Sequence, residues 1–430
     1  MAVTGWFVAL VALGVVPIVA TGSAWALVGW LVLVLALGAL DVALAASPRL
    51  LRIRRELPGP VRLGEATSAE LVVVNEGRRT LRGVVRDAWQ PSAGAAVTRR
   101  ALVVRPGRAW RATTTLTPFR RGERRAEEVT VRSIGPLRLA GRQAGHAVPG
   151  TVRVLPRFSS RRHLPSRLAR LRELDGRTSV MIRGQGTEFD SLREYVRGDD
   201  VRSIDWRATA RRSDLVVRTW RPERDRRVVI VVDSGRTSAA RIDDEPRLDT
   251  AFESALLLGA LASRAGDHVD LVVVDRRVRG RVQGATGAAL LSTMVETMAP
   301  IEPELVETDW STVPALVRSV TTQRSLVVLV TPVDSPGSAR SLLAAVPQLS
   351  WRHLVVVASV TDPDLAAAAV TRTNRDEVYR AAAAERARLD VARVAAALGQ
   401  VGADVVSGSP ADLPPALADR YLAYKAAGRL

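Results

Sequence analysis

Oxygen-bearing side chains at the end of one apolar run are the first candidates for chemistry in this sequence. Val231-Val232-Asp233-Ser234-Gly235-Arg236-Thr237 closes a β-branched run with an acid, followed by serine and threonine hydroxyls. If the run is a strand of an open α/β sheet, Asp233 lies at the carboxyl edge, where strand ends and helix N-termini converge on ligands. Carboxylate and hydroxyl oxygens there suit a hard cation such as Mg2+, with an acid from a partner completing the shell. The competing reading is a turn in which Asp233 caps the segment that follows and no metal is needed.

Other reaction templates lack their central residue. There is no cysteine, which removes thiol catalysis, disulfides and thiolate metal sites. Lys425 is the only lysine, so no Walker A loop exists, and neither Gly-x-Ser-x-Gly nor a Gly-x-Gly-x-x-Gly after a strand is present. His146, His163, His268 and His353 stand isolated. No catalytic set and no certain cofactor are expected, so the chain reads as a binding protein rather than an enzyme. The alternative is a metal-dependent hydrolase working from Asp233 and the acids of residues 199–205. The formal net charge of +18 comes almost wholly from arginines scattered over every segment. Without a compact basic run interleaved with aromatics, no nucleic-acid partner is expected.

The elements around Asp233 follow from hydropathy and periodicity. Residues 5–40 carry no charged side chain, and two apolar stretches, Trp6 to Ala20 and Ala24 to Ala46, flank Thr21-Gly22-Ser23. A spanning helix needs about twenty apolar residues, so residues 1–47 are predicted as a transmembrane helical hairpin. No basic residue precedes Trp6, which argues against a secretory signal. Arg49, Arg52, Arg54 and Arg55 follow the second stretch. The positive-inside rule then predicts a multi-pass protein of the plasma (inner) membrane with its soluble part in the cytoplasm. Asp41 is expected to be a hydrated carboxylate near the interface, close to those arginines.

Residues 48–158 alternate short β runs with Gly and Pro turns, predicting a small antiparallel β-sandwich of immunoglobulin or fibronectin type. Residues 159–226 read as a polar, arginine-rich connector followed by a charged block. From 227 to 430, β-branched runs alternate with helical segments, which predicts a doubly wound, Rossmann-like α/β domain.

The charged block carries a specific resemblance. Glu188-Phe189-Asp190-Ser191-Leu192-Arg193-Glu194-Tyr195 with Gly198-Asp199-Asp200-Val201-Arg202-Ser203-Ile204-Asp205-Trp206-Arg207 resembles the signature of the domain-of-unknown-function 58 family, continuing through Pro222-Glu223-Arg224-Asp225. Arg120-Arg121-Gly122 and Ile134-Gly135-Pro136-Leu137 also resemble that family's β-module. The resemblance implies a membrane-anchored protein with a von Willebrand factor A-like domain, no established activity, and a MoxR-type AAA+ ATPase as partner. It also implies a degenerate metal site. Asp233 and Thr237 match the first metal loop with Gly235 in place of a serine, Thr308 matches the second, and in the third, where Pro332 replaces an aspartate, Asp334, Asp309 or a water could substitute. For Asp199, Asp200, Arg202, Asp205 and Arg207 the readings that stand are a docking surface for the partner or an autoinhibitory strap over the strand ends, and against both an internal salt-bridge clamp joining the β-module to the α/β domain.

Overall fold

The structure, a computed structural model, describes residues 2–181, 188–196, 203–212, 214–221 and 226–430. The chain divides into two compact units, Met1–Arg157 and Phe158–Leu430.

The first unit opens with helices α1 (Gly5–Ala12), α2 (Val15–Thr21) and α3 (Ala24–Leu44). The Thr4 and Ser23 hydroxyls accept from Phe7 N and Trp25 N to start α1 and α3, and Gly22 at φ +66° ends α2 in the left-handed region. Small residues let the arms close. A Cβ on Gly38 would lie 2.8 Å from the Phe7 ring, one on Gly14 would lie 2.8 Å from Trp30, and Trp30 Nε1 donates to Leu10 O at 2.8 Å. By length and composition one helical stretch, Ala24–Leu50, can cross a membrane, while Gly5–Thr21 is a shorter apolar one.

The β-strands follow. β1 (Leu51–Glu56), β2 (Thr67–Asn75) and β5 (Ala109–Leu116) form one sheet in the order β1-β2-β5. β3 (Leu81–Trp89), β4 (Arg99–Val104), β6 (Gly122–Ile134) and β7 (Ala140–Leu155) run in the order β7-β6-β3-β4 in the other, where the two-residue strands Ala2–Val3 and Val61–Arg62 also pair with β7. Leu71 and Val73 from the first sheet and Leu81, Val85, Leu102, Val129 and Val131 from the second share one apolar cluster, with the period-two burial of strands that are wet on one side.

Asp41 departs from expectation. It is fully buried, not hydrated. Oδ1 accepts from Leu137 N at 2.7 Å, and Oδ2 accepts from Leu139 N at 2.8 Å and Ala140 N at 2.9 Å. The turn supplying these amides is the Gly135-Pro136-Leu137 of the sequence motif. A Cβ on Gly135 would collide with the carboxylate at 2.1 Å, so glycine is what lets Asp41 enter. Arg79 donates to Ala43 O and Leu44 O, and Arg142 Nε donates to Val42 O, placing cations on the last carbonyls of α3. The sequence missed this latch because its two halves lie almost a hundred residues apart.

In the second unit, α4 (Leu164–Met181) packs on α6 (Arg247–Arg264) and α7 (Leu413–Ala426), with Leu171 buried and Arg167 paired to Asp419 at 2.6 Å. Residues 159–180, read as a connector, are thus an integral part of this unit; Ser159 Oγ and Ser160 N both donate to the buried Glu253. β8 (Glu188–Glu194) pairs antiparallel with β9 (Val216–Arg221), and α5 (Trp206–Arg212) lies between them in sequence.

The main sheet comprises β10 (Arg227–Asp233), β11 (His268–Val274), β12 (Val278–Val282), β13 (Leu326–Val330), β14 (Leu354–Val360) and β15 (Ala403–Gly408), in the order β12-β11-β10-β13-β14-β15. All pairings are parallel except β12 with β11. The order runs outward in both directions from β10, so the crevice at the switch of direction falls beside its carboxyl end. Val228 faces Val269 on one side and Leu326 on the other, and β10, β13 and β14 are buried along nearly their whole lengths, as strands covered on both faces must be. The only lysine, Lys425 on α7, is buried, its Nζ 3.1 Å from Asp267 and donating to Ala265 O, while Tyr421 OH donates to the other Asp267 oxygen.

Candidate functional site

β10 delivers Asp233 to the carboxyl edge, where its side chain is 1% exposed. Three loops converge on it. The loop after β10 donates Gly235 N to Oδ1 at 2.7 Å and Thr237 Oγ1 to Oδ2 at 3.4 Å. The loop around 301–309 donates Thr308 Oγ1 to Oδ1, and the loop after β13 donates Thr331 Oγ1 to Oδ2 at 2.7 Å. Burial pushes the Asp233 carboxyl above the ordinary range, and these hydrogen bonds, Thr308 first, pull it partly back.

The structure therefore brings Asp233, Thr237 and Thr308 together and leaves Asp334 out. Asp334 forms a two-pronged ion pair with Arg247 Nη1 at 2.7 and 2.8 Å, capturing the charge that the sequence assigned to the cluster. Thr331 takes the place expected of Asp334. It stands one residue before Pro332, and nothing in its own chemistry distinguishes it from other threonines at strand ends. Gly235 is explained as well: a Cβ there would sit 2.3 Å from Thr308 Oγ1 and 2.8 Å from Val306 O, so a serine cannot occupy the position while Thr308 reaches Asp233.

These groups do not fit a resident Mg2+. Among the described residues Asp233 brings the one carboxylate that the Thr237, Thr308 and Thr331 hydroxyls reach, both its oxygens already accept internal donors, and Asp334 is held by Arg247. Among the described residues, no group of three or more His, Cys, Asp or Glu side chains is placed to hold a metal.

Asp275, just past the end of β11, is a second buried acid at the same edge, unassigned from sequence; Ser234 Oγ contacts it at 3.4 Å and Arg279 lies at 3.6 Å. Outside these acids the rim is charged and stitched by backbone. Glu304 N donates to Ser234 O and Arg236 N donates to Val306 O, which hold the segment between them against the Asp233 loop. Arg236 pairs with Glu307 at 2.6 Å and Arg279 with Glu304 at 2.8 Å. Between the two pairs, Leu305 stands 78% exposed.

Of the signature block, Asp199, Asp200 and Arg202 lie outside the described residues. Asp205 Oδ1 accepts from Arg207 N and Ala208 N, both at 3.0 Å, so it caps the start of α5, and Arg207 is exposed.

Comparison with known proteins agrees with the signature. Residues 191–396 match the family described as "Protein of unknown function DUF58". An uncharacterized protein of Mycobacterium bovis is 29% identical over 234 residues, covering 50% of this chain and 72% of the relative, and an uncharacterized protein of Mycobacterium tuberculosis H37Rv matches to the same extent. Among solved structures, the SpRpn10 VWA domain aligns with a TM-score of 0.29 at 8% identity, covering 45% of this chain and 94% of that domain. The CARDB domain of a Pyrococcus furiosus protein aligns with a TM-score of 0.19 at 17% identity, covering 24% of this chain and 91% of that one.

Proposed function

We propose that this chain, which carries the domain-of-unknown-function 58 signature over residues 191–396, is a membrane-anchored adaptor or scaffold that binds a protein partner at the carboxyl edge of its α/β sheet. In this reading the apolar helices form a two-pass tether in the plasma membrane, and the arginines after α3 hold the soluble part on the cytoplasmic side. The partner is a MoxR-type AAA+ ATPase acting in complex assembly or envelope maintenance, as the family resemblance implies.

One observation supports an edge that binds. The rim carries an exposed leucine between two ion pairs, on a segment tied by backbone hydrogen bonds to the loop around Asp233. A fixed apolar side chain ringed by charges is the anatomy of an interface anchor and its rim. The cluster beneath it, with the Asp233 oxygens engaged by the chain's own donors, serves to hold the loops in place.

The test is capture of a nucleotide-loaded MoxR-type ATPase by the full chain in detergent. Leu305→Asp should abolish capture without lowering the melting temperature. Failure of the unaltered chain to retain the ATPase in any nucleotide state would overturn the reading. Because the sequence has no cysteine, topology is testable with single substitutions: Ser23→Cys should label from outside the cell and Ser92→Cys only after permeabilisation.

A further inference from the structure

The opposite, amino-terminal edge of the same sheet holds a cleft of about 800 Å³, in the size range of small-molecule sites. Its walls come from chain segments that enter neighbouring strands. Arg324 precedes β13, Trp351, Arg352 and His353 precede β14, Asp404 belongs to β15, and Tyr424 and Arg429 come from the end of the chain described here.

Three features of this cleft stand apart from the rest of the arginine-rich surface. First, its charge is unbalanced. Asp404, the one carboxylate in the wall, is already held by Arg420 at 2.9 Å and by Tyr424 OH at 2.8 Å, whereas Arg324 and Arg352 pair with no acid among the described residues. Arg429 rests its guanidinium over the Tyr424 ring at 5.1 Å. Second, the Trp351 indole is 85% exposed beside Arg352, an unusual position for the largest apolar side chain. Third, His353 is buried, yet its Nδ1 has no hydrogen-bond partner among the described residues. A buried ring nitrogen left unmatched is costly unless something else satisfies it.

We infer that this cleft binds a nucleotide, with linked phosphates engaged by Arg324, Arg352 and Arg429 and a planar base stacked on Trp351. Arginine recognises phosphate oxygens through paired N–H donors, and an exposed indole offers a face to any base. An acidic protein segment would satisfy the arginines but leave the indole unused, which is why the observations favour the nucleotide. The Tyr424 phenol, pushed up to about 12 by burial and by Asp404, remains a donor to Asp404 and adds no competing negative charge. This site is independent of the adaptor reading, since it lies at the far edge of the sheet from Asp233.

Titration calorimetry of the full chain in detergent, at physiological salt, with ATP, ADP, GTP and inorganic tripolyphosphate, tests it. ATP should bind more tightly than tripolyphosphate. Arg324→Ala and Arg352→Gln should each weaken both ligands about tenfold or more, the loss typical of a charged phosphate contact. Trp351→Ala should weaken ATP about fivefold or more while leaving tripolyphosphate unchanged, and Trp351→Phe should restore most of the difference. Arg82→Ala, an exposed arginine of the β-sandwich, should change nothing. Absence of ATP binding would overturn the proposal. So would equal affinity for ATP and tripolyphosphate that is insensitive to Trp351, or a loss in Arg82→Ala as large as in Arg324→Ala, either of which indicates general anion adsorption. Tight binding of a glutamate-rich peptide without nucleotide binding would assign the cleft to an acidic protein instead.

Discussion

Asp41 and Asp233 are both buried carboxylates saturated by the chain's own donors, and they are held in different ways. Asp41 receives backbone amides alone, from Leu137, Leu139 and Ala140. Asp233 receives one backbone amide and hydroxyls from three loops. An amide fixed in a turn can only donate, so the Asp41 cradle has a single arrangement that works. A threonine hydroxyl rotates and can either donate or accept, so the Asp233 cradle can adjust to a change of charge or of neighbours. The first unit uses its acid as a permanent fastening between helix and sandwich; the second uses its acid as a hub that tolerates rearrangement.

The sharpest break of that contrast is removal of each acid. Asp41→Ala strands two buried amides, Leu139 and Ala140, and a half-buried one, Leu137, and at about 1–3 kcal/mol for each unsatisfied buried group the first unit should lose roughly 4 kcal/mol, read as protease sensitivity of residues 48–157 in detergent. Asp233→Ala should cost the second unit about 2–3 kcal/mol by denaturant unfolding, because its hydroxyls can turn toward one another. Asparagine sharpens the comparison, since it replaces an acceptor oxygen by a donor. Asp41→Asn should be nearly as damaging as alanine, whereas Asp233→Asn should cost about 1 kcal/mol or less. Equal penalties for the two asparagine variants would erase the distinction.

Next in size is Gly235→Ser, which restores the serine of the metal loop but forces Thr308 aside. We expect about 1–3 kcal/mol of destabilisation and no gain in melting temperature on adding Mg2+. A smaller effect is pH dependence. The folded-state pKa of Asp233 is raised, so between the ordinary carboxylate range and its raised value the folded state binds more protons than the unfolded one. Stability of the second unit should therefore fall as pH rises through that window, and Asp233→Asn should flatten the slope. The smallest change expected is at the exposed Arg236–Glu307 pair, where Arg236→Gln should alter folding stability by about 0.5 kcal/mol or less.

Periodicity carried much of the architecture. The charge-free leading segment, the alternating strands before residue 158 and the β-branched runs of the main sheet each announce themselves through spacing alone, because burial on one face or two leaves a regular trace. The Asp233, Thr237 and Thr308 convergence was legible through the family resemblance. Three features were not. Residues 159–180 show mixed helical periodicity, but they are so rich in arginine that the sequence does not announce their packing on the second unit through Leu171. Asp334 looked available for the cluster because its captor, Arg247, lies eighty-seven positions away. The role of Asp41 depends on amides that only a folded turn aims at it, and no side-chain pattern records where a backbone N–H points.

Lys425 has a practical corollary. With the chain's sole ε-amine sealed against Asp267, reagents and conjugating enzymes that attack lysine meet no such group on the folded second unit. Acylation at this position becomes a reporter of unfolding, and a tag or regulatory modifier that must be attached through lysine has no foothold while the native state persists.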